Sequence, residues 1–213
     1  MSRNIELHPL SGKATIMTVR KEFDFLAGGT ERKSIVEGTV GRHRVSLIKR
    51  KDIDGRYEAN WCAFREAGLP VVRTLRRGEE RSIFLTDVKA DGSETYGSNL
   101  KYVLRRNHKR SRARPEIDRI FVGLINPADF RKITDRVAEC ASIASENHIL
   151  LPPDDPFDLV VHPDSSWDIV LLDLEFGKVV STHNKNIKRD NLINGQRFLD
   201  DLAYVAGALR GSL

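Results

Sequence analysis

The residues with most chemical potential in this chain are carboxylates at the ends of short apolar runs. Leu171-Leu172-Asp173-Leu174-Glu175-Phe176-Gly177 is an apolar strand that delivers Asp173 to the rim of a core, with a glycine four residues on. A strand is a rigid mount, and a carboxylate at its end is placed to hold a hard cation. Upstream, Asp154, Asp155 and Asp158 crowd the segment from His148 to Val161. Short strands are predicted over Asp158–His162 and Asp168–Asp173, joined by the turn Pro163-Asp164-Ser165-Ser166. Such a hairpin sets Asp158 and Asp173 side by side. Two facing carboxylates repel each other without a cation, and magnesium is the natural one. A Pro-Asp turn with solvated acids is the ordinary alternative.

The first part of the chain carries groups suited to phosphate. Gly28 and Gly29, within Leu26-Ala27-Gly28-Gly29-Thr30-Glu31-Arg32-Lys33, stand between two predicted strands. Without a Cβ, their backbone N–H groups can approach a phosphate closely, although hairpin turns use the same pair. Val45-Ser46-Leu47-Ile48-Lys49 is an apolar strand ending in lysine. Its ammonium can reach the phosphates of a nucleotide or extend into water. Glu58 lies on the helix that follows. Packed on the sheet, that helix would bring Glu58 to Lys49, and the ion pair would fix the lysine.

Strands are expected over Ala14–Val19, Ile35–Val40, Val45–Lys49 and Ile83–Asp87. Tyr57, Trp61 and Phe64 recur at helical spacing in Tyr57–Ala67, with Gly68 as the stop. A strand resumes after Pro70 at Val71-Val72. Asn126-Pro127 is an N-cap followed by proline at the first helical position. Phe130, Ile133, Val137, Ala141 and Ala144 then form one apolar face to about Asn147. Phe198, Leu199, Leu202, Val205, Ala206 and Leu209 make a final amphipathic helix. The expected fold is α+β: a β-rich lobe over residues 1–90, a minimal helical lobe over 91–213, and a cleft between them.

In this order the elements resemble the protein-kinase-like fold. Glycine loop, strand Lys49, helix Glu58, a hinge near Leu85-Thr86-Asp87, a catalytic-loop hairpin and a metal-binding Asp173 follow one another as in that family. The stretch from Glu58 through Ala67-Gly68-Leu69-Pro70-Val71 looks like the aminoglycoside and lipopolysaccharide kinase-like families. The Leu-x-x-Gly-x-x-Arg-Lys pattern at 26–33, which adds Lys33, and the Asn147-x-Ile149 approach to the catalytic loop are similar to compact bacterial kinase-like proteins of the PhoP regulatory network family. The resemblance covers roughly residues 22–178. It implies an ATP- and magnesium-dependent phosphotransferase. Gly28, Gly29, Lys33, Lys49, Glu58 and Asp87 would serve the nucleotide, Asp158 and Asp173 the metal, and Asp154 or Asp155 would be the base. The chain departs from the pattern at the catalytic loop, where Pro153 stands five residues before Asp158. A nucleotide-binding pseudokinase with a regulatory role is therefore the second expectation.

Bulk properties narrow the setting. The formal net charge is +5, and Lys101–Arg114 holds seven Lys or Arg and no acid. This basic segment, within an insert at about 98–126, favours an anionic substrate or protein partner. Nucleic acid is a third reading, with Tyr102 as the segment's lone aromatic residue. No apolar run reaches the roughly 18–20 residues that span a bilayer, and the N-terminus lacks the apolar core of a signal peptide. Cys62 and Cys140 read as buried free thiols of a reducing compartment, which points to the cytoplasm.

Overall fold

The structure, a computed structural model, describes residues 3–9, 15–27, 31–40, 42–51, 55–72, 74–76, 82–86, 92–106, 114–153, 156–171, 174, 177–180 and 185–211. It is a mixed α+β chain with antiparallel sheets. The chain divides into two compact units. The first comprises residues 1–62 and 72–90, and the second residues 63–71 and 91–213.

The first unit is a closed antiparallel barrel. Its strands are β1 (Arg3–Pro9), β2 (Thr15–Ala27), β3 (Glu31–Val40) and β4 (His43–Lys51), then β5 (Thr74–Arg76) and β6 (Ser82–Thr86) after helix α1 (Arg56–Glu66). They run in the order β1-β2-β3-β4-β6-β5, and β1 closes on β5 through His8↔Arg76 and Pro9↔Leu75. Met17, Val19, Val36, Leu47 and Leu75 fill the inside, with Val40 and Val45 packed against them. A register shift between Val19 and Lys21 turns the alternation of β2 over by one residue. Glu22 and Asp24 therefore share the inner face with Val36, and so does Lys49, two positions beyond Leu47. One end of the inner face is apolar, and the other carries Glu22, Asp24, Ser34 and Lys49.

Helix α1 ends as Gly68 predicts. Gly68 has φ +85°, its N–H bonds to the Arg65 carbonyl, and the Leu69 N–H bonds to Phe64. Two orphan carbonyls are satisfied, and Leu69 is buried beside Phe64.

The second unit contains β7 (Glu94–Tyr96), α2 (Ser98–Arg105), α3 (Pro115–Leu124), α4 (Pro127–Glu146), β8 (Ile149–Leu150), β9 (Asp158–Val161), β10 (Trp167–Val170), β11 (Lys178–Val179) and α5 (Ile187–Arg210). Helix α4 begins where Asn126-Pro127 requires. The Asn126 side chain accepts from the N–H groups of Ala128 and Asp129 and donates to the Asp129 carboxylate. The Lys132 ammonium and Asn126 together hold the Asp129 pKa below its usual range. Ile133, Val137, Cys140, Ala141 and Ala144 of α4 pack against α5, which buries Phe198, Leu199, Leu202, Val205, Ala206 and Leu209. A Cβ at Gly195 would lie 2.9 Å from Val137 Cγ1, so glycine lets the two helices cross closely.

Cys140 lies inside this packing, and burial pushes its thiol pKa up to about 11. Alkylation of the native protein at pH 8 is therefore expected to leave Cys140 unmodified and to reach it only after denaturation. Mass spectrometry of the modified peptides checks this, and fast native labelling of Cys140 would contradict the packing.

Candidate functional site

The expected hairpin forms, but with a different pairing. Strand β9 pairs antiparallel with β10 from Trp167↔Val161 to Val170↔Asp158. Asp158 thus faces Val170 across the ladder rather than Asp173. Leu171 leaves the hairpin by donating its N–H to the Pro70 carbonyl and bridging to Val71. The turn is tight. Ser165 adopts φ +69°, and the Asp164 carboxylate accepts from the N–H and hydroxyl of Ser166. Those bonds lower the Asp164 pKa.

Asp158 is only 8% exposed. Its carboxylate lies against Gly97, which immediately precedes α2: a Cβ on Gly97 would come within 2.9 Å of Asp158 Oδ1. The backbone of Gly97 is extended, so glycine is needed there for space and not for conformation. The positive end of the α2 dipole offsets part of the desolvation of this carboxylate.

The chain leading to this aspartate is held by α5. Asn191, fully buried, donates to the Ile149 carbonyl at 2.8 Å and accepts from the Leu151 N–H at 2.9 Å. It also donates to the Ser145 hydroxyl on α4. One turn on, Asn194 donates to the Leu151 carbonyl, and Arg197 then donates to the Pro153 carbonyl. Residues 191, 194 and 197 share one helix face, so three side chains grip three successive alternate residues of an extended segment. Pro156 and Phe157 are buried on the far side, with Phe157 edge-on to Phe198 at 5.5 Å. Only Asp154 and Asp155 stand between these two anchored stretches.

Gly28, Gly29, Asp87, Asp154, Asp155 and Asp173 lie outside the described residues. Lys33 is on β3 opposite Phe25. Lys49 sits at the polar end of the barrel's inner face, and the ion-pair partner shown for it is Glu22, at 3.6 Å, rather than Glu58. The bulge in β2 is the reason, because it turns Glu22 onto the inner face. Glu58 is half-buried on α1. Gly177, four residues past Asp173, has a packing reason to be glycine: its Cβ would meet Phe64 at 2.4 Å.

A second group of reactive residue types sits beside β9. The Ser93 hydroxyl bonds His162 Nδ1 at 2.7 Å, and His162 Nε2 bonds the Asp168 carboxylate at 3.2 Å. Both contacts are satisfied together when the hydroxyl donates to Nδ1 and Nε2–H donates to Asp168. Serine, histidine and aspartate in sequence suggest nucleophilic catalysis. Ser93, however, is 0% exposed. A hydroxyl with no access to solvent cannot meet a substrate, and the relay instead straps the start of β7 to the β9–β10 hairpin.

The basic segment is also partly spoken for. Lys101 forms an ion pair with the buried Asp201 of α5 and lies over the Tyr204 ring, while Arg106 covers Tyr102. Arg105 and Arg106 are exposed, and residues 107–113 are outside the described set. Among the described residues no group of three metal-ligating side chains occurs, and no helix is long and apolar enough to cross a membrane.

No protein-family model matches this chain, and no curated protein sequence matches it.

Proposed function

We propose that the chain is an ATP- and magnesium-dependent phosphotransferase of two-lobed, kinase-like architecture, acting in the cytoplasm. The observation that carries this reading is the pair of anchored positions, Pro153 and Pro156, that flank Asp154 and Asp155 in the chain. The Pro153 carbonyl accepts from Arg197 and Pro156 is buried, so each flank of Asp154 and Asp155 has an anchor. Catalysis of phosphoryl transfer is mostly positioning and charge stabilisation, and a carboxylate between two anchored flanks suits the base that takes the acceptor's proton.

The remaining roles follow the chemistry of each group. Asp158 and Asp173 offer oxygen donors, the type that magnesium prefers. When bound, the ion neutralises charge on the phosphates. Lys49 neutralises phosphate oxygens, with Glu22 beside it on the inner face of the barrel in place of the expected Glu58. Gly28, Gly29 and Lys33 would cradle phosphate, and Asp87 would contact the nucleotide. The order of elements agrees with this: the paired glycines fall between β2 and β3, Lys49 is on the next strand, and Glu58 is on the helix after it.

A ligand at about a hundred times its dissociation constant stabilises by about 2.7 kcal/mol, a rise of about 5–10 °C in melting temperature for this size. ATP with magnesium should produce such a shift. Asp158→Asn, Asp173→Asn and Lys49→Ala should lose it while melting normally without ligand. Wild-type protein that shows no shift sinks the proposal. Pro153 in the register of the base favours a second reading, a regulatory protein that binds nucleotide without transferring phosphate. A nucleotide shift with no γ-phosphate transfer supports that one, whereas turnover lost in Asp154→Asn or Asp155→Asn supports the enzyme.

A further inference from the structure

Half-exposed aliphatic side chains and unpaired lysines concentrate in one part of the second unit. Val179 is 58% exposed, Leu192 48% and Ile193 44%. Strand β11 is tied to α5 through Ile149, since Val179 pairs with Ile149 and Asn191 donates to the Ile149 carbonyl. Leu192 and Ile193 follow Asn191 directly. Around them Lys178, Lys185, Lys188 and Arg189 are exposed. Arg189 bonds Asp190, and none of the three lysines is paired among the described residues. From Lys178 to Leu199 the sequence holds five Lys or Arg and one acid.

We propose that the outer face of the first turns of α5, with the end of β11, docks on an anionic lipid surface. The charge is complementary to acidic headgroups, and the aliphatic side chains are placed to enter the boundary between headgroups and acyl chains. The face is the convex side of a helix. Peptides that bind by their side chains seat in grooves, whereas a lipid surface moulds to a convex face. The contact is reversible: a few half-exposed aliphatic groups and four cations anchor far more weakly than a spanning helix. It is independent of the nucleotide chemistry proposed above.

The test is co-sedimentation of the full chain, without nucleotide, with vesicles of equal parts phosphatidylcholine and phosphatidylglycerol, against phosphatidylcholine alone. Protein is expected to pellet with the anionic vesicles only. Each basic residue near such a surface multiplies affinity about fivefold at low salt, so Lys185→Gln with Lys188→Gln should weaken binding about 25-fold. Leu192→Ser with Ile193→Ser should leave binding that vanishes at moderate salt, where wild type persists. All these positions are exposed, so the variants should melt like wild type, which thermal unfolding checks. Failure to pellet, equal pelleting with neutral vesicles, or unchanged binding by both double variants overturns the proposal. So does vesicle binding whose salt dependence is the same before and after the Leu192 and Ile193 changes, since that marks a purely ionic partner site.

Discussion

Asn191→Ala is expected to destabilise the second unit by about 3 kcal/mol and to lower its melting temperature by about 6–12 °C. The magnitude comes from what is left behind. Asn191 satisfies the Ile149 carbonyl and the Leu151 N–H, and alanine orphans both in a buried setting. Each orphaned group costs roughly 1–3 kcal/mol. A sharper version separates hydrogen bonding from packing. Asn191→Asp keeps the shape and keeps an acceptor for Leu151, but it sets a second carboxylate oxygen against the Ile149 carbonyl. Burial and that repulsion raise the aspartate's pKa in the folded state above its unfolded value. The variant therefore regains stability as pH falls through the folded pKa, because a protonated carboxyl can donate to Ile149. It loses stability as pH rises. Chemical denaturation at several pH values reads this directly. A variant as stable as wild type at neutral pH would mean that the contacts to α5 do not hold the segment. If Asp154 or Asp155 is the base, phosphate transfer should fall in Asn191→Ala even below the melting range, with nucleotide binding kept.

What could be read from residues alone has a common physical character. Helix α4 and the stop of α1 were visible because their signals are local: Asn126-Pro127 caps one, and Gly68 ends the other in the left-handed conformation that favours glycine. The β9–β10 strands were visible for the same reason, as an apolar run, a turn rich in Pro, Asp and Ser, and a second run. Strand β2 was expected to stop near Val19 but continues to Ala27. The bulge after Val19 reverses the alternation there, and polar residues take inner positions at the polar end of the barrel. The pairing of Lys49 with Glu22 depends on that shift, so helix spacing pointed to Glu58 instead. The amphipathic signal of α5 is clear only from Phe198 onward, because its first turns bury Asn191, Asn194 and Gly195 where apolar residues are the usual signal. Those asparagines hold the extended segment from Ile149 to Leu151 that leads to the acidic residues. Asparagine three residues after asparagine on a helix face was the available clue, and it acquires meaning only when the partner strand is known. Helix α3 carried its own mark, Pro115 with Glu116 and Asp118 in the first turn, hidden inside a segment read for its charge.

Gly38→Ala is expected to unfold the barrel or destabilise it by about 3 kcal/mol or more. Gly38 faces inward on β3 between Val36 and Val40, paired with Val19 on β2 and Val45 on β4. A Cβ there would lie 2.3 Å from the Thr18 carbonyl oxygen and 2.7 Å from Met17 Cε. The methionine end could move, but the carbonyl belongs to a strand held in a closed barrel. Relieving that contact means parting β2 from β3 beside the bulge, where the register already shifts. The opposing term is small: removing glycine's freedom from the unfolded chain favours folding by about 0.4–1 kcal/mol. The two contacts can be told apart experimentally. Met17→Ala removes the flexible neighbour and costs its own buried volume, so in the double variant with Gly38→Ala no rescue is expected if the backbone contact dominates. Hydrogen exchange at the amides of β2 and β3, followed with thermal unfolding of the first unit, measures both. Native exchange protection in Gly38→Ala would show that the strands do not approach so closely, and recovery in the double variant would assign the strain to Met17.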